Sequence, residues 1–126
     1  MYTDVRSGLF VPLEIPLHLL VPMQVNLLIR QLQVPSEQSI KDVVANSVTA
    51  SRLRAKPMQA FEALIACLEN PLPRDDWGRI EFGLTLLLLD VVHTLGVSTP
   101  DDIWQIDRQN RLEWFKWVRI WTDPSR

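Results

Sequence analysis

Residues 82–97, FGLTLLLLDVVHTLGV, constrain the fold more than any other stretch of the chain. At 100° per residue, Leu84, Leu87, Leu88, Leu89, Val91, Val92 and Leu95 occupy most of the circumference of a helix. A helix that is apolar nearly all round has to be covered from several sides. The run has 16 residues and contains Asp90 and His93, short of the roughly 20 apolar residues that span a bilayer. It therefore predicts the central helix of a bundle, over residues 75–95. Asp75 and Asp76 lie at the positive end of its dipole, and Gly96 serves as the stop.

The rest of the chain must supply that cover. Its 126 residues make about one domain, and one core is expected. An apolar fraction of 47%, with 22% charged, is that of a globular protein. The formal charge of −2 excludes a global electrostatic grip on nucleic acid or anionic lipid, so any such binding would use a local patch. Glycine is scarce and strand-type alternation is rare, whereas apolar residues recur at helical spacing. The reading is all-α: a single domain over 1–126, with a proline-rich extended or irregular arm at 1–21 and a bundle of four to five helices at 22–122.

In the arm, prolines at 12, 16 and 22 forbid a central strand and break any long helix. Residues 9–29 are apolar but lack a basic n-region before them and a small-x-small cleavage site after them, so no signal peptide is expected. Val25, Leu28, Ile29 and Leu32 predict a helix over 22–33. Ser36 predicts the N-cap of a second helix, with Ile40, Val43, Val44, Ser47 and Ser51 on one face. Pro57 opens a third. Its stripe of Met58, Phe61, Leu64, Ile65 and Leu68 is accompanied by a small-residue stripe of Ala60, Ala63 and Cys67, which suits packing on two sides. Thr99 and Pro100 predict the start of the last helix, which packs across the central one.

Motifs that name a chemistry are missing. The chain has no P-loop, GxGxxG, GxSxG, HExxH or CxxC. Two histidines and one cysteine make a poor ligand set, so neither metal nor cofactor is expected. Cys67 has no basic neighbour on its own helix to activate it, and a lone cysteine suits a reduced, cytoplasmic setting. Asp90 and His93 share a helix face, as a carboxylate orienting an imidazole would, and are the one candidate pair for a small helical enzyme. The plainer reading of that pair is a solvated stripe.

Two surfaces remain. Residues 30–58 carry five basic side chains against two acidic ones, and Lys41, Arg52 and Lys56 fall on one side of a helical wheel. That stripe could follow a phosphate backbone, as in a nucleic-acid-binding subunit, or be a solvated face. The last helix contains RLEWFKWVRIW, apolar on two sides. Trp114, Trp117 and Trp121, with Val118, form the stripe expected to close the core. Leu112, Phe115 and Ile120, with Lys116 and Arg119 between them, are left over as candidates for contacting a partner. The leading expectation is a non-enzymatic adaptor, assembly subunit or inhibitor that binds another protein or a second copy of itself.

Overall fold

The computed structural model describes residues 17–122. The described residues form six helices and no strand: α1 (Leu17–Gln31), α2 (Glu37–Asn46), α3 (Val48–Arg54), α4 (Pro57–Glu69), α5 (Trp77–Thr94) and α6 (Arg108–Thr122). No helix among them is long and apolar enough to cross a membrane. The described residues are all-α as the periodicity predicts, with one helix more than the upper count of five.

The extra element arises at Ser47. A continuous helix was expected through this region, yet Ser47 adopts ψ 144° and serves both neighbours. Its backbone N–H donates to the Val43 carbonyl at 2.9 Å and ends α2. Its hydroxyl accepts from the Ala50 N–H at 3.0 Å and starts α3. The break rotates the register. Ile40 and Val44 are buried before it, and Thr49, Ala50 and Leu53 after it, while Ser51 of the expected face is exposed.

The arm expected over 1–21 lies outside the described residues up to 16, and its last five residues are helical. Pro22 sits inside α1 rather than ahead of it. It removes one backbone donor on an exposed side of the helix. Val21 and Val25 on the inner side are 5% and 1% exposed, and their burial outweighs the lost bond.

Around the core, α4 packs against α1, α3, α5 and α6, and α5 against α2, α3 and α4. The two apolar stripes of α4 explain its position: Phe61, Leu64 and Ile65 are fully buried, and Ala60 is buried beside them. In α5, Ile80, Leu84, Leu87, Leu88, Val91 and Val92 are all at 0% exposure, as expected of a central helix. It ends in a Schellman motif. The Val97 N–H donates to the Val92 carbonyl and that of Gly96 to the His93 carbonyl, with Gly96 at φ +88°.

The last helix differs from expectation at its start and in its neighbour. Thr99 and Pro100 open a run of tight turns in which Ile103 N–H donates to the Pro100 carbonyl and Ile103 is buried. The helix begins only at Arg108, after Asp107 accepts the Asn110 N–H at 3.0 Å as the cap. It packs on α4.

Candidate functional site

The α4–α6 contact decides which side of α6 faces water. Phe115 and Val118 point inward, at 1% and 4% exposure. On one flank of that inner face, Lys116 Nζ reaches Glu69 at 3.1 Å and Glu113 at 3.3 Å, and Arg119 Nη1 reaches Glu62 at 3.6 Å. Glu62 and Glu69 are two turns apart on α4, and their cations follow in reverse order on α6. The two helices are thus antiparallel and laced along one edge. The Lys116 ammonium is held above its usual pKa by its hydrogen bonds to Glu69 and then Glu113.

The stripe expected to close the bundle is therefore split: Val118 is buried and Trp114 half-buried against the core, while its two other tryptophans face outward. Trp117 and Trp121 are 61% and 70% exposed, and Ile120 is 54% exposed. Phe115, expected as a partner contact, is a core residue; Leu112 is half-buried against the core. The reason is geometric. With Phe115 and Val118 packed inward, Lys116 and Arg119 come within reach of the α4 carboxylates, and residues 117 and 121 lie on the far side of the helix. Lys116 and Arg119 serve the fold through these ion pairs.

The tryptophans themselves form an ordered surface. The rings of Trp117 and Trp121 meet edge to face, with centroids 6.4 Å apart at 62°. Beside them, Trp114, Val118 and the loop residues Val97 and Ser98 complete a hollow of about 200 Å³. Trp114 is half-buried, its ring set edge-on to Phe115 at 5.1 Å. Trp104 is also at the surface. It is 40% exposed, in tilted contact with the Phe82 ring at 5.2 Å and covered by the Arg111 guanidinium at 5.1 Å. Trp77, by contrast, is buried.

The remaining candidates are dispersed. Asp90 accepts from Arg54 Nη2 at 3.0 Å and Nε at 3.3 Å, and Arg54 Nη2 also donates to the Val44 carbonyl at 2.6 Å. The carboxylate thus ties α5 to the end of α3, while His93 is exposed and outside that arrangement. Cys67 is half-buried, and burial pushes its thiol pKa up, away from a reactive thiolate. No cluster of three metal-ligating side chains occurs among the described residues. Of the basic stripe, Lys41 pairs with Glu37 at 3.7 Å, whereas Arg52 and Lys56 line a separate cleft against α1. The break at Ser47 is what separates them.

Sequence reasoning missed Trp117 and Trp121 as surface residues. One signal for them was present. The acidic pair at 62 and 69 matches the basic pair at 116 and 119 in an antiparallel register, which orients α6 with its tryptophans away from α4. Compared with protein-family models, curated proteins and solved structures, the chain matches none.

Proposed function

We propose that the chain is a non-enzymatic interaction module that receives an amphipathic helix of another protein along the outer face of α6. The exposed, mutually packed pair Trp117 and Trp121 carries this reading. Asn110, Trp114, Trp117 and Trp121 follow one another at spacings of four, three and four residues, the seam of knobs-into-holes packing. The two tryptophans together expose roughly 300 Å², against about 800 Å² per partner in a standard stable interface. That area suits the anchoring centre of a contact with a single helix more than a stable homodimer. The bidding for tryptophan at such a centre is physical: it desolvates a large rigid surface while losing little side-chain entropy. Roles as an adaptor, assembly subunit or inhibitor all follow from one such face, and a cytoplasmic setting suits the single thiol.

The test places a photo-crosslinking amino acid at Asn110, exposed on the same seam, in the native host, with Asp42 on α2 as the control position. A partner captured at 110 and not at 42, and lost when a folded Trp117→Ala/Trp121→Ala variant carries the same crosslinker, is the expected result. Retention of every partner by that double variant would sink the reading. Light scattering over a range of concentrations tests the second copy as occupant; a stable dimer abolished by the double variant would replace the foreign helix with α6 of another copy.

A further inference from the structure

A second surface, independent of α6, lies between α1 and α3. Leu20, Val21 and Gln24 on α1 face Leu53 and Ala55 at the end of α3 across a cleft of about 350 Å³. That volume falls within the roughly 300–1,000 Å³ range of small-molecule sites. Its apolar walls are aliphatic. Arg52 and Lys56 also line it, one helical turn apart. Both are exposed, and among the described residues neither side chain makes an ion pair or hydrogen bond, while Arg54 between them is engaged with Asp90 and Val44. No acidic residue lies in α1, nor anywhere from 43 to 61. On a chain of net charge −2, this leaves two unpaired cations at the edge of an aliphatic cleft without a carboxylate nearby in sequence to neutralise them.

Gln24 adds a third polar group. Its Oε1 is buried and has no hydrogen-bond partner. An unbonded buried amide is costly, and turned over about its last torsion it offers an N–H in place of the carbonyl.

From this geometry we propose that the α1–α3 cleft binds a medium-chain acyl carboxylate. The alkyl chain would lie against Leu20, Val21, Leu53 and Ala55, and the carboxylate would be held by Arg52 and Lys56. Guanidinium and ammonium donors suit a carboxylate head, and the planar fork of arginine can bond both of its oxygens. Aliphatic walls suit an alkyl chain. They do not suit a nucleic-acid base, which is recognised by stacking on aromatic rings that this cleft lacks.

The experiment is a titration of the full chain with sodium decanoate, well below its micelle concentration, followed by amide and methyl NMR shifts. Decyltrimethylammonium and a single-stranded oligonucleotide are titrated in parallel. The expected result is saturable binding of one decanoate, with shifts at Leu20, Val21, Leu53 and Ala55 and none from the cationic amphiphile. An Arg52→Gln/Lys56→Gln variant with an unchanged thermal transition should bind decanoate about tenfold more weakly, the loss of a charge-assisted bond. Equal affinity for decyltrimethylammonium, undiminished binding by the double variant, or shifts confined to the indole signals of α6 would each overturn the proposal. So would an oligonucleotide that shifts the cleft signals when decanoate does not.

Discussion

Gly83 on α5 lies directly against Leu32: a Cβ at position 83 would come within 2.6 Å of Leu32 Cδ2 and 3.0 Å of Ile40 Cγ2. Leu32 and Ile40 are both at 0% exposure, so neither has room to retreat. Helix propensity alone predicts that Gly83→Ala stabilises by about 1 kcal/mol, whereas overpacking a filled core costs about 1–3 kcal/mol. The net expectation is a loss of about 1 kcal/mol in urea unfolding. In a double-mutant cycle with Leu32→Ala, the two changes should cost less together than the sum of the singles, because the smaller side chain admits the new methyl.

The two sides of α6 should respond in opposite ways to truncation. Phe115 is at 1% exposure in the core, so Phe115→Ala should cost about 3–5 kcal/mol. Trp117 is 61% exposed, and Trp117→Ala should leave stability within about 0.5 kcal/mol. Chemical denaturation followed by circular dichroism measures both. A reversed order of the two effects would restore the tryptophan stripe to the core.

Arg54 joins three elements through one guanidinium, donating to Val44 at the end of α2 and to Asp90 on α5. Arg54→Met should destabilise by about 1–2 kcal/mol, since it leaves a backbone carbonyl and a carboxylate without their donor. Asp90→Asn should cost less, because the bond to Val44 survives. His93→Gln should be neutral in thermal unfolding, as an exposed residue outside the Arg54 arrangement.

Acid should weaken the start of α6. The Asn110 backbone N–H beside Asp107 holds its carboxyl below the usual carboxylate range. A carboxyl with a depressed folded pKa stabilises above its unfolded pKa, near 3.9, and loses that contribution as pH falls through the folded value. Asp107→Ala should therefore be less stable than the parent at neutral pH, and the gap between them should narrow as pH falls from about 4 toward 2. Melting curves at several pH values check this; a gap that is constant with pH would remove the carboxylate cap.

What the sequence determined by itself are the features set by local chemistry. The all-round apolar run places α5 at the centre, Ser36 caps α2 by accepting the Ser39 N–H, Pro57 opens α4, and Gly96 closes α5 with a positive φ. Each depends on residues within one or two turns, so periodicity and capping rules reach them. The tertiary structure decided the rest. Whether Ser47 continues a helix or breaks it depends on burying Thr49, Ala50 and Leu53, which lie on a different face from Ile40 and Val44. Whether Leu17–Gln31 is helical despite Pro22 depends on what Val21 packs against. Above all, α6 carries aromatic residues on both sides, and periodicity cannot rank two apolar faces of one helix. The packing of Phe115 and Val118 against the core makes that choice, and in the resulting orientation Glu62 and Glu69 on α4 pair with Arg119 and Lys116 while Trp117 and Trp121 stay in the solvent.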